Sequence, residues 1–139
     1  YDGRPYTKGN KVPYVPEYTG NLGFEFRIPA GDLEWFTRVD GTFVGETWFH
    51  PVQDELVPNL FKGFGFGQGE FSKQKRDPYS TVNLRIGVGS ERWTVTAWGR
   101  NVTDENYLQE IIPAPEFGGS FIHDSPGDSY GLDVRYSFK

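Results

Sequence analysis

The sequence predicts an all-β chain: an antiparallel transmembrane β-barrel segment of about five strands in meander order. Three observations predict it. Five stretches carry one apolar and one polar face, the connections between them alternate short and long, and the composition favours strands. The 139 residues include 18 glycines, 10 prolines and 17% aromatics. Alanine and leucine are scarce, which disfavours an all-helical fold.

The first stretch, YTGNLGFEFRI, sets Tyr18, Leu22, Phe24, Phe26 and Ile28 against Thr19, Asn21, Glu25 and Arg27. Successive side chains of an extended chain point to opposite sides, so this spacing describes a strand with two unlike faces. The second, residues 33–49, opposes Leu33, Trp35, Val39, Phe43 and Phe49 to Glu34, Arg38, Asp40, Thr42 and Glu46. In the third, Val82, Leu84, Ile86 and Val88 face away from Thr81, Asn83 and Arg85. The fourth separates Trp93, Val95 and Ala97 from Arg92, Thr94, Thr96 and Arg100, with Trp98 as an exception on the polar side. The last separates Tyr130, Leu132, Val134, Tyr136 and Phe138 from Ser129, Gly131, Asp133, Arg135 and Ser137. All are roughly nine residues or longer, the length that crosses a bilayer when tilted, and longer than the usual strand of about five to six residues.

The connections run short, long, short, long: PAGD at 29–32, residues 48–78, GSER at 89–92, and residues 103–128. Outer-membrane barrels have that signature, with tight periplasmic turns and extended extracellular loops. On this polarity Trp35, Trp93, Phe26, Tyr136 and Phe138 gather near the inner interface, and Tyr18, Trp48, Phe49 and Tyr79 near the outer one. Two aromatic bands suit the headgroup regions that flank a hydrocarbon layer.

Mean hydropathy is −0.59 and no apolar run approaches the ~20 residues of a membrane helix. Half-apolar β spans remain compatible with that average. Net charge is −5 and the 14 basic residues are scattered, so there is no electrostatic footprint for nucleic acid. The absence of cysteine excludes a disulfide framework and cysteine metal sites.

Three motifs then resemble one family. WGRNVTDENYL, with Asn101, Val102, Thr103, Asp104 and Tyr107, resembles the penultimate-strand motif of TonB-dependent outer-membrane receptors. VPEYTGNLGFEF resembles their P-x-x-x-x-N-x-G strand, at Pro16, Asn21 and Gly23. Ser129, Gly131, Val134, Tyr136 and Phe138 resemble the terminal assembly signal of outer-membrane proteins, although here Lys139 follows the aromatic. The resemblance implies a plugged barrel of about 22 strands. Residues 1–139 would then be its C-terminal portion, the plug domain and earlier strands being absent. It also implies energised import of a scarce solute (siderophore-iron, vitamin or saccharide class) in the outer membrane of a Gram-negative bacterium. The implied partners are outer-membrane lipid, the TonB complex through a missing N-terminal region, and the barrel-assembly machinery through the last strand.

Candidate sites follow from the loops and strand ends. The glycines at 63, 65, 67 and 69 fit neither a dinucleotide fingerprint nor a Walker loop. Alternating Gly and Phe reads as a loop packed on neighbouring loops, whose aromatics are candidates for ligand contact. The candidates are His50, Phe61, Phe64, Phe66, Phe71, Phe117, Phe121 and His123. Asn101, Asp104 and Tyr107 read as a strand exit, since Asn and Asp bond to nearby backbone and turn the chain. No metal, cofactor or catalytic constellation is expected, because two lone histidines lack carboxylates at ligand spacing. Asp124, Ser125 and Asp128 around Pro126-Gly127 read as a polar turn rather than a calcium site. The rival readings are a passive porin-type barrel and a soluble carbohydrate-binding β-sandwich.

Overall fold

The computed structural model describes residues 7–53, 72–114 and 119–138. It contains β1 (Thr19–Ala30), β2 (Leu33–Val44), β3 (Thr47–Trp48), β4 (Lys75–Arg76) and β5 (Tyr79–Gly89), followed by β6 (Trp93–Arg100), β7 (Leu108–Ala114), β8 (Gly119–Asp124) and β9 (Ser129–Tyr136). The chain divides into two compact units. One holds Thr19–Phe43, Tyr79–Glu105 and Pro126–Lys139; the other holds Tyr1–Tyr18, Val44–Pro78 and Asn106–Ser125.

The first unit is a five-stranded sheet in the order β1-β2-β5-β6-β9. Between β1 and β2 only Gly31 and Asp32 intervene. So short a connection permits only antiparallel pairing, and Gly31 supplies the positive φ of 65° that the reversal needs. β5 turns into β6 through residues 90–92, where the Ser90 amide donates to the Trp93 carbonyl at 2.8 Å.

Register pairs like with like. Across β5 and β6, Ile86 faces Ala97 and Val88 faces Val95, while Arg85 faces Trp98 and Gly87 faces Thr96. Across β6 and β9, Trp93 faces Tyr136, Val95 faces Val134 and Ala97 faces Leu132, while Thr96 faces Asp133. A slip of one residue would move every apolar side chain to the charged face, so the faces themselves fix the register.

Nothing layers over the apolar side of this sheet among the described residues. Ile86 is 44% exposed, Leu132 66% and Val134 70%. The buried apolar side chains are Val44, Phe49, Val52, Ile111 and Ala114, and all five belong to the other unit. A β-sandwich would instead bury this face against a second sheet about 10 Å away, so the soluble-sandwich reading is set aside.

The second unit shows that the long connections have structure of their own. β3 pairs antiparallel with β4, Thr47 facing Arg76 and Trp48 facing Lys75. β7 pairs antiparallel with β8, Ile111 facing Ile122 and Ile112 facing Phe121. The second strand, expected to run on to Phe49, stops at Val44. Past it the Gly45 amide donates to the Tyr18 carbonyl at 2.9 Å. The chain then pairs through Thr47 and Trp48 with β4 instead of continuing the sheet. Phe49, expected at the outer lipid interface, is 4% exposed. It packs edge-on against Tyr14 at 5.5 Å, beneath the Arg76 guanidinium. Local packing overrides the alternation there.

Candidate functional site

The charged side of the five-stranded sheet divides in two. On β1 and β2 the charges satisfy one another. Arg27 bonds both Glu25 and Glu34. Arg38 forks onto Asp40, with Nε–Oδ2 and Nη2–Oδ1 both at 2.8 Å, and lies 3.6 Å from Glu25. These pairs are solvent-exposed, so water and salt screen them and they add little to stability. Their effect is to close the network on itself.

On β5, β6 and β9 the pattern differs. Arg85, Asp133 and Arg135 form no ion pair with any described residue, and Arg100 lies 5.2 Å over the Trp98 ring. Two hollows open on this side. One, of about 1110 Å³, adjoins the tight turns and includes Arg27, Glu34, Phe36, Arg85, Thr94 and Arg135. The other, of about 530 Å³, lies toward the opposite strand ends and includes Arg38, Asp40, Asn83, Arg85, Trp98, Arg100 and Asp133.

The strand exit is built on Asn101, which has φ 47°. Its side-chain amide donates to the Glu105 carbonyl at 2.9 Å, and its side-chain oxygen accepts from the Glu105 amide at 3.1 Å. The Asn83 side chain accepts the Asn101 amide at 3.0 Å, and the Val102 amide donates to the Val82 carbonyl. Asp104, also at positive φ (49°), donates its amide to the Asn101 carbonyl at 2.8 Å. The bracket ends β6 and turns the chain out of the sheet. Further on, the Tyr107 and Ser125 backbones meet, the Ser125 amide donating to Tyr107 at 2.8 Å.

In the last strand, Gly131 lies under the Trp98 ring, Val134 faces Val95 and Tyr136 faces Trp93. Phe138 meets Tyr136 edge-on at 4.8 Å, and the Ser137 amide donates to the Arg92 carbonyl.

Of the loop candidates, His50 takes part in a local turn, its Nδ1 accepting the Val52 amide at 3.0 Å. The structure brings Phe121 opposite Ile112, and His123 opposite Glu110. Phe61, Phe64, Phe66, Phe71 and Phe117 lie outside the described residues. Among the described residues no three His, Asp or Glu side chains gather as a metal site.

Sequence reading missed the residues that hold the second unit together. Gln74 exchanges two hydrogen bonds with Ser120, at 2.7 and 3.0 Å. Arg76 donates to the Thr47 hydroxyl and to the Leu108 carbonyl. Lys75 pairs with Glu46 at 2.6 Å, and that contact holds the Glu46 carboxyl below the ordinary glutamate range.

A bare apolar face, a charged reverse face and alternating tight and long connections define the wall of a membrane β-barrel. The model of the TonB-dependent-receptor-like β-barrel family matches residues 1–102, and the chain belongs to that family. It is also similar in fold to the crystal structure of the ferric yersiniabactin uptake receptor FyuA from Yersinia pestis. The TM-score is 0.73 at 18% identity over 94% of this chain. The chain spans only 18% of that receptor's length.

Proposed function

We propose that this chain is the C-terminal barrel portion of a TonB-dependent receptor of the bacterial outer membrane. The whole receptor binds a scarce solute from outside the cell and imports it with energy delivered through TonB. It is a transporter, not an enzyme. The carrying observation is the uncovered apolar face of Leu132, Val134 and Ile86, which suits hydrocarbon, backed by a charged face suited to the polar interior of a barrel. Family membership supports the energised reading over a passive porin. An iron chelate heads the solute classes, because the similar structure is a ferric yersiniabactin uptake receptor.

Within that reading the plug and the TonB-contacting segment belong to parts of the protein outside this sequence. Gly131, Val134, Tyr136 and Phe138 present the last strand to the barrel-assembly machinery. His50, Phe121 and His123 are candidate solute contacts, along with the phenylalanines at 61, 64, 66, 71 and 117.

The test is uptake of radiolabelled ferric chelates by iron-starved cells carrying the full-length gene, with and without TonB. Accumulation against a gradient that disappears without TonB is expected. Accumulation that persists without TonB, and only to equilibrium, would establish the passive porin instead.

A further inference from the structure

His50 lies on one long connection and Phe121 and His123 on another, yet a single side chain of the second unit reaches both. Arg76, on β4, donates through Nη2 to the Thr47 hydroxyl at 3.0 Å and through Nη1 to the Leu108 carbonyl at 3.3 Å. Nη1 also lies 3.5 Å from the Gln109 carbonyl. The buried Thr47 hydroxyl passes its own hydrogen to the Gly45 carbonyl at 3.2 Å. The guanidinium carbon sits 5.8 Å from the centre of the buried Phe49 ring. The carbonyls on β7 are available because the strand bulges there: Leu108 faces Asp124 and Glu110 faces His123, leaving Gln109 as the extra residue. Both ends of the clasp are themselves held. The Trp48 carbonyl accepts the Tyr14 amide at 2.7 Å and the Pro51 carbonyl accepts the Asn10 side chain at 2.9 Å, so the His50 turn is tied on either side. β8, which carries Phe121 and His123, is zipped to β7 and fastened to Gln74 through Ser120.

We propose that Arg76 is a positioning residue for the solute: by clasping the β7 bulge to β3 it presets the spacing between His50 and the Phe121–His123 strand before any solute binds. The inference rests on the transport reading, which makes those three side chains solute contacts, and adds how they are held. A surface ordered in advance removes the cost of immobilising two loops from the binding step. Loosening the clasp leaves each contact on its own connection but lowers the fraction of receptor in which all are correctly spaced. Apparent affinity then falls by that fraction. Lysine is no equivalent here, because one ammonium on a flexible stem does not span a hydroxyl and a carbonyl on two strands as a planar fork does.

The experiment places spin labels on Pro51→Cys and Ile122→Cys, one on each connection and both at exposed positions, in full-length receptor in detergent. Residues 1–139 supply no competing thiol. Without solute, the distance distribution from pulsed dipolar spectroscopy should be narrow, and Arg76→Gln should broaden it. Heat-modifiable gel mobility reports whether the barrel is intact, and Arg76→Lys, the gentler change, carries the same test where Arg76→Gln does not assemble. In cells, radiolabelled iron(III) is supplied as citrate, catecholate and hydroxamate chelates. For whichever accumulates through TonB, the variant should raise apparent KM about tenfold, the effect of a competent fraction of about one in ten, with the maximal rate unchanged. A wild-type distribution that is already broad and narrows only on adding the chelate would overturn the presetting. A narrow distribution in both Arg76 variants would remove Arg76 as the clasp. Broadening with no change in KM would separate the clasp from the solute and overturn the positioning role. Accumulation of none of the chelates would instead count against the transport reading, and the solute-free distances would still decide whether Arg76 sets the spacing.

Discussion

The Trp98 indole lies across Gly131 on the next strand, so closely that a Cβ on residue 131 would come within 2.3 Å of a ring carbon. The two residues are direct partners in the β6–β9 ladder. Phe36 covers Gly87 on the charged face in the same way. Such aromatic cover compensates for the packing a strand glycine cannot supply. It also gives a physical reason for glycine inside the terminal strand, independent of any recognition by assembly factors. Gly131→Ala should destabilise the folded barrel by about 1–3 kcal/mol, the range for overpacking. In a Trp98→Ala background the same substitution should be nearly neutral. Urea titration of the refolded full-length protein in a double-mutant cycle reads the coupling. Additive losses would mean that Gly131 matters for something other than room.

Asn101 combines a left-handed backbone with two hydrogen bonds to Glu105. Asn101→Ala meets both costs, the αL penalty of roughly 1–2 kcal/mol and lost bonds worth about 1 kcal/mol each. Asn101→Gly keeps the backbone and loses only the bonds. Alanine should therefore be the more damaging by about 1–2 kcal/mol in the same titration. Equal losses in the two variants would show that the bracket, not the backbone, sets the exit.

The five long strands were legible in the sequence because each carries its own two-residue period. Val95 facing Val134 and Ala97 facing Leu132 follow once two such faces must meet. The strand exit was legible for a similar reason, since Asn and Asp bond within a few residues of themselves. The second unit was not. Gln74 and Ser120 are 46 residues apart, and Arg76 reaches Leu108 across 32. β3 and β4 have two residues each, too few for any period. Phe49 continued the apolar spacing of β2 and was misplaced for that reason: alternation records which residues are apolar, not which medium covers them. The cation asymmetry was likewise invisible, because Arg38 and Arg85 look alike until their neighbours are known.

The contact between Lys75 and Glu46 gives the second unit a pH dependence with a definite sign. The Lys75 hydrogen bond lowers the Glu46 pKa, so its stabilisation is present above the unfolded glutamate value of about 4.3. It is lost as pH falls through the lowered folded value. The Glu46 hydrogen bond raises the Lys75 pKa. That contribution is present below the unfolded lysine value of about 10.4 and disappears as pH rises through the raised one. Both side chains are partly exposed, so solvent screening limits the effect to under about 1 kcal/mol. The protection factor of the Phe49 amide, which donates to the Gln74 carbonyl beside this pair, should be highest between those limits. Glu46→Gln should flatten the profile, and a profile unchanged in that variant would remove the ion pair as its cause.

Leu132 and Thr96 test the medium on each side of the sheet. Leu132 lies on the apolar face opposite Ala97, and Thr96 on the charged face opposite Asp133. If hydrocarbon covers the first, Leu132→Arg should cost about 2–4 kcal/mol in lipid vesicles, the midplane price of a lipid-facing arginine. Thr96→Arg places the same side chain beside a carboxylate in water and should cost less than about 1 kcal/mol, as surface substitutions do. The free energies come from urea-dependent folding of the full-length protein into vesicles, read by tryptophan fluorescence. Repeating the Leu132→Arg measurement in thinner bilayers should reduce its cost, because residue 132 then lies closer to an interface. Equal costs for the two variants, or a Leu132→Arg cost indifferent to bilayer thickness, would mean that lipid does not cover that face.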